Sequence, residues 1–179
     1  AFFLYPAIEP NGELEVQRLI VGAAGLVMVA SALLVRKQPI LSVGWGKANL
    51  KFGLWLGLAL AIITIVLRNR VTDIFSGLTA LDGVSLFVWL LLAFVEETVF
   101  RGYIQLRLEN WLGERWGWVA TAAAFMIYQI PRLLATSTLD TWPVELAFAF
   151  AQGLVLGFIM KKCGSTLAPM LYRAVSGWL

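Results

Sequence analysis

The sequence predicts an all-α integral membrane protein of about six transmembrane helices plus one interfacial amphipathic helix. Three observations carry that prediction. Hydrophobic residues make up 60% of the 179 and charged ones only 14%, well outside the norm for soluble domains. The apolar residues gather into runs of membrane-spanning length separated by short loops. Trp111, Trp116 and Trp118 stand together at the entrance of one run, as an aromatic belt at the membrane–water boundary does.

Ala1 to Val16 opens with Phe2-Phe3-Leu4-Tyr5-Pro6 and continues through Pro10-Asn11-Gly12 to Glu13 and Glu15. It lacks the positive start of a signal peptide and suits a segment lying in the interface, or the tail of a preceding helix. Leu19 to Val35, flanked by Arg18 and Arg36-Lys37, reads as the first span, because long basic side chains can reach outward from its ends. Pro39 to Asn49 is a basic loop and Phe52 to Leu67 the second span. The loop from Arg68 to Asp82 offers Asp73 and Asp82 as helix caps.

Gly83 to Val95 begins the third span, which continues past Arg101. From Gly102 to Arg115, Ile104, Leu108, Trp111 and Leu112 recur at helical spacing, which describes an amphipathic helix emerging along the interface. Trp116 to Pro131 is the fourth span, Arg132 to Thr141 a loop, and Trp142 to Met160 the fifth span, ended by Lys161-Lys162. Glu145 in its first turn complements the helix dipole. Thr166 to Leu179 covers only about 21 Å as a helix, less than a hydrocarbon core of about 30 Å, so it enters partway or continues beyond this sequence. The domain reading is one membrane domain over 1–179: an interfacial segment at 1–16, two spans at 17–82 and a core at 83–179.

With six spans, one side holds Arg36, Lys37, Lys47, Lys51, Arg101, Arg107, Arg115, Lys161 and Lys162, while the other holds Arg18, Arg68, Arg70 and Arg132. The positive-inside rule turns the first side, and the motif described next, toward the cytoplasm. The membrane is then a plasma or inner membrane or one derived from it. The net charge of +3 is small and spread over loops, so nucleic acid is not an expected partner. Cys163 is the lone cysteine and there is no histidine. Within these residues that excludes an internal disulfide, a histidine-based zinc site, a Ser-His-Asp triad and histidine-ligated haem. No metal and no cofactor is expected.

The chemistry-bearing stretch is Phe94-Val95-Glu96-Glu97-Thr98-Val99-Phe100-Arg101-Gly102. Ionisable groups inside a membrane helix cost about 2.5–3.5 kcal/mol each at its centre by insertion scales, so each needs a partner or a function. On a helix Glu97 and Arg101 share a face at i and i+4, whereas Glu96 points about 100° away and must find its partner elsewhere. Two carboxylates this close also provide a way to keep one acid protonated and one base ionised.

Glu96-Glu97-x-x-Phe100-Arg101-Gly102 on a membrane helix resembles the first motif of the CAAX-protease and bacteriocin-processing intramembrane endopeptidases, the CPBP or Abi family. The resemblance covers the chain from Gly83 onward and implies a CPBP-like core. In that family the two glutamates activate a water for peptide hydrolysis, a Phe-x-x-x-His motif follows on the next helix, and a His-x-x-x-Asn motif lies on the last. Histidine and asparagine there stabilise the oxyanion, a contribution of a few kcal/mol. Here Phe125-Met126-Ile127-Tyr128-Gln129 has Gln129 at the histidine position, with Pro131 following as in the family. In the last segment Arg173 stands at the histidine position and Gly177 at the asparagine position, while a shift of one residue would bring Tyr172 there instead.

These departures describe a site kept polar without its reactive groups, because Gln129 does not titrate near neutral pH and Arg173 is a fixed cation. The family-equivalent catalytic positions are therefore Glu96, Glu97, Arg101, Gln129 and Arg173. The expected pairs are Glu97 with Arg101 and Glu96 with Arg173, with Gln129 also satisfying the carboxylates. The reading that follows is an inactive homologue serving as an accessory, structural or assembly subunit of a larger membrane complex, in contact with lipid and other membrane subunits. An active glutamate-dependent endopeptidase acting on prenylated or leader-bearing peptides is the alternative, and a carrier of bound lipid or pigment a third. Gly153 and Gly157 mark a close-packing face on the fifth span.

Overall fold

A computed structural model describes residues 12–45, 49–77 and 79–179. Most of the expected interfacial segment, residues 1–11, lies outside them, as does Lys47. The described residues form helices and no strand, and a helix satisfies its backbone polar groups within itself, as a segment inside lipid requires. The helices are α1 (Gly12–Val35), α2 (Leu50–Leu67), α3 (Val71–Ser76), α4 (Ala80–Glu97), α5 (Leu106–Leu112), α6 (Glu114–Tyr128), α7 (Ile130–Thr136), α8 (Trp142–Cys163) and α9 (Leu167–Trp178). A π-helical segment, Thr98–Gln105, joins α4 to α5 without a break.

Three stretches are long and apolar enough to cross a membrane: Leu50–Leu67, Asp82–Leu112 and Leu139–Cys163. The first expected span supplies a shorter apolar helix, Ile20–Val35. The 15 residues of α6 and the 12 of α9 reach about 22 and about 18 Å. Of the six expected spans, three meet that measure. The first helix also starts earlier than the expected span, at Gly12, taking Glu13, Glu15 and Arg18 into its first turns.

Several boundaries differ from the sequence reading for identifiable reasons. Asp82 is not the cap of α4. Thr79 is, its side chain accepting from the Asp82 N–H at 3.3 Å while the Asp82 carboxylate accepts from the Thr79 N–H at 2.8 Å, a reciprocal capping box. Asp73 likewise falls inside α3, whose cap position is Arg70. The amphipathic stretch does not start a separate helix at Gly102. The helix runs on to Leu112 and stops at Gly113, whose φ of 83° suits glycine. The fourth span breaks at Gln129 instead of running to Pro131, and α7 continues into the expected loop with proline in its first turn, where the missing N–H costs nothing.

Small residues set how closely the helices approach. On α2, Gly53, Gly57 and Ala61 are the buried residues, and a Cβ at Gly57 would come within 2.8 Å of Leu171 and 3.1 Å of the Ala168 backbone on α9. On α8, a Cβ at Gly153 would meet the Ala122 backbone of α6 at 2.9 Å, and one at Gly157 the Trp118 ring at 2.6 Å. The Gly153/Gly157 pair thus forms the close-packing face expected of it. Trp118 packs inward there and donates to the Leu154 carbonyl at 2.9 Å. Of the expected belt, only Trp111 and Trp116 are strongly exposed.

The connections after α1, α5 and α8 meet at one end of the bundle. The Thr166 N–H donates to the Gly44 carbonyl at 3.1 Å, and Lys161 pairs with Glu114 at 2.7 Å. At the other end Trp178 Nε1 donates to the Asp82 carbonyl at 3.1 Å, tying the C-terminal end of α9 to the start of α4.

Candidate functional site

α4 delivers Glu96 and Glu97 in its last turn, and the helix then widens into the π-helical segment that carries Arg101 and Gln105. π-helical turns are rare and frequent at functional sites. Two contacts fit this wider turn against the chain between α1 and α2. Trp45 Nε1 donates to Thr98 Oγ1 at 3.1 Å, and Gly102 lies so close that a Cβ would stand 2.3 Å from the Val43 carbonyl oxygen.

Glu96 is 3% exposed, and Arg173 reaches it from α9. Arg173 Nη2 and Nε donate to the same oxygen, Oε2, at 2.8 and 3.1 Å, while the Tyr128 hydroxyl lies 3.4 Å from Oε1. The remaining arm of the guanidinium, Nη1, donates to Gln152 Oε1 on α8 at 2.6 Å. Two helices besides α4 therefore reach this carboxylate directly, and α8 braces the arginine that holds it. Arg173 takes the register that faces Glu96, whereas Tyr172 packs toward α2 and α8 against the cluster of Ile159, Cys163 and Ala168. Gly177 serves a different purpose, since a Cβ there would meet the Trp89 ring at 2.4 Å.

Glu97 and Arg101 are both fully buried. The expected i,i+4 pair forms with Arg101 Nε 3.4 Å from Glu97 Oε2, a charge contact without hydrogen-bond geometry. Among the described residues neither carboxylate oxygen, nor Nε or Nη1 of Arg101, has a hydrogen-bond partner. The guanidinium is held otherwise: Nη2 points to the Gly153 carbonyl at 3.4 Å, and its carbon sits 4.5 Å from the centre of the Phe125 ring. The Arg173 guanidinium lies 5.0 Å from the same ring centre, so one buried aromatic face system stabilises both cations.

Gln129 is buried, yet among the described residues its Nε2 has no hydrogen-bond partner. Arg173 and Tyr128 meet Glu96, while among the described residues Glu97 receives no hydrogen bond, from Gln129 or any other group. Sequence reasoning also passed over Gln105, which is fully buried and donates to the Gly157 carbonyl at 3.1 Å and to Glu109 at 2.9 Å. A lone amide in an apolar run was the available signal for Gln152, and Tyr128 precedes the second motif position directly. Among the described residues no group of three Asp, Glu, Cys or His side chains is placed to hold a metal ion.

Adjacent glutamates on one helix are thus faced by side chains from α6 and from α9. The chain belongs to the type II CAAX prenyl endopeptidase Rce1-like family, whose sequence model matches residues 81–179 and so takes in every residue of the site. Comparisons with curated proteins and with solved structures return no match.

Proposed function

We propose that this chain is a catalytically silent member of its family and acts as an accessory, structural or assembly subunit of a larger membrane complex. The observation that carries the reading is the Arg173 guanidinium on Glu96 Oε2 at 2.8 and 3.1 Å. A carboxylate already committed to a cation in this way is a poor general base for water. The position that would supply a titrating imidazole is held by an amide in Gln129 and by a permanent cation in Arg173, so proton transfer has no second group. Glu96, Glu97, Arg101 and Arg173 then serve to join α4, α6, α8 and α9, with Gln129 buried at the end of α6.

In this reading all 179 residues form one membrane domain, with an interfacial segment at 1–16, two spans at 17–82 and the family core at 83–179. Helices α1, α6 and α9 complete six spans beside the three long ones. The glutamates face the cytoplasmic side of a plasma or inner membrane or one derived from it, in line with the basic loops gathered at that end. Other membrane subunits and lipid cover the apolar outer faces.

The test compares wild type with Glu96→Gln on a farnesylated CAAX peptide, with native mass spectrometry of the solubilised protein alongside. A silent subunit shows no cleavage above background, loses stability on substitution and co-purifies with a defined complex. The intact Glu96-Glu97-x-x-Phe100-Arg101-Gly102 string favours a second reading, an active endopeptidase in which Gln129 or Arg173 stabilises the oxyanion. Cleavage by wild type that Glu96→Gln abolishes without loss of assembly would establish that reading and end the first.

A further inference from the structure

We infer that the cleft between the end of α1 and the face of α5 binds the phosphate of an anionic phospholipid. The cleft has a volume of about 540 Å³ and is lined by Arg36, Gln38, Arg107, Leu108, Asn110 and Trp111. Those six residues carry two positive charges and no negative one. Neither arginine has a carboxylate partner among the described residues, in contrast to Arg101 and Arg173, which face glutamates.

Arg107 is half-buried and already oriented. One of its terminal nitrogens donates to the Gln38 side chain, its guanidinium lies 5.2 Å from the centre of the Tyr103 ring, and its Nε is buried with no hydrogen-bond partner among the described residues. A partly desolvated guanidinium held in place without an anion is arranged to receive one, and its planar donors match phosphate oxygens. Arg36 stands across the cleft as the second, exposed cation.

The surroundings choose a lipid over a soluble anion. Leu34 and Val35, directly before Arg36, are 78% and 84% exposed, and Trp111 on the other wall is 79% exposed. Apolar surface on one side and an indole at the rim fit acyl chains below a headgroup at the interface. Basic pockets between membrane helices are suited to anionic headgroups for the same electrostatic reason.

The experiment uses the whole chain in a neutral detergent, titrated with phosphatidylglycerol, phosphatidylcholine or sodium phosphate, with adducts counted by native mass spectrometry. Wild type is expected to retain one phosphatidylglycerol, to discriminate against phosphatidylcholine by about tenfold, and to take up no inorganic phosphate. Arg36→Gln, on an exposed side chain, should weaken retention about fivefold, and adding Arg107→Gln should abolish it. Arg68→Gln, on a basic residue outside the cleft, should leave it unchanged. Equal retention of the two lipids, the same retention in Arg36→Gln as in wild type, an equal loss in Arg68→Gln, or inorganic phosphate bound in place of lipid would each overturn the assignment.

Discussion

Glu96 and Glu97 are neighbours in one helical turn, yet they are neutralised in opposite ways. Glu96 is met by an arginine 77 residues away, with two hydrogen bonds to one oxygen. Glu97 is met by an arginine on its own helix at 3.4 Å, with no hydrogen bond to either oxygen among the described residues. The first pair is therefore a tertiary clasp that exists only when α9 is docked on α4, and the second is a local pair that could form in the isolated helix. Burial is nearly the same for both, so the difference lies in geometry, and it separates what holds the bundle together from what merely neutralises a charge inside it.

The largest effect should come from breaking the clasp. Arg173→Met keeps much of the side chain's volume and leaves Glu96 buried beside only the distant Tyr128 hydroxyl and what else its immediate neighbours provide. Removing one partner of a buried ion pair costs about 3–5 kcal/mol, which thermal unfolding in detergent at a fixed scan rate should register as a marked fall in Tm. The double variant Glu96→Gln/Arg173→Met should recover most of that loss, because both charges leave together. A double variant as damaged as the single one would mean that the volume and the Gln152 contact, rather than the charge pair, hold α9 in place.

Glu97→Gln sharpens the comparison from the other side. The wild-type carboxylate bears its desolvation cost without a hydrogen bond in return, so neutralising it recovers part of what is lost when Arg101 is left without its nearest anion. Arg101 keeps the Phe125 ring and the Gly153 carbonyl. The expected destabilisation is about 1–2 kcal/mol, clearly below that of Arg173→Met and within the ordinary range for single substitutions. If the two variants fell by the same amount in the same melting experiment, the distinction between clasp and local pair would be wrong.

The same contrast marks what a sequence discloses. The Glu97–Arg101 pair follows from a spacing of four on one helix, and the facing of Glu96 and Arg173 follows from the motif register on the last segment. Both are properties of position along the chain. The widening of the helix at Thr98–Gln105, the grip of Gln152 on Arg173 and the burial of Gln105 depend on how far each helix is rotated against its neighbours, which no local period records. Thr79 is an intermediate case. A threonine three residues before Asp82 is the capping-box spacing, and reading the aspartate alone placed the cap on the wrong residue. The membrane class and the long helices were legible because hydropathy is averaged over many residues, whereas α6 falls short of a span because it ends at Gln129, just before Pro131 opens α7.

The smallest effect is expected where the comparison reaches water. Lys161 pairs with Glu114 at 2.7 Å, but the Glu114 side chain is 74% exposed, so this bridge joins α6 to the end of α8 without the desolvation that gives the buried pairs their weight. The hydrogen bond and charge of Lys161 hold the Glu114 carboxyl below the usual carboxylate range. For a carboxyl whose folded value is depressed, the stabilising contribution is fully present above its unfolded value and disappears as the pH falls through the folded one. The stability difference between wild type and Glu114→Gln should therefore be small and constant near neutral pH, and should shrink to nothing on the acid side of the ordinary glutamate range. Raising the salt concentration at neutral pH should shrink it as well, because an exposed pair is screened. Arg173→Met provides the contrast within the same experiment, since its Tm deficit at neutral pH should hardly respond to salt. A Glu114→Gln difference that persisted in acid or in high salt would show that Glu114 acts through packing on α6 instead of through charge.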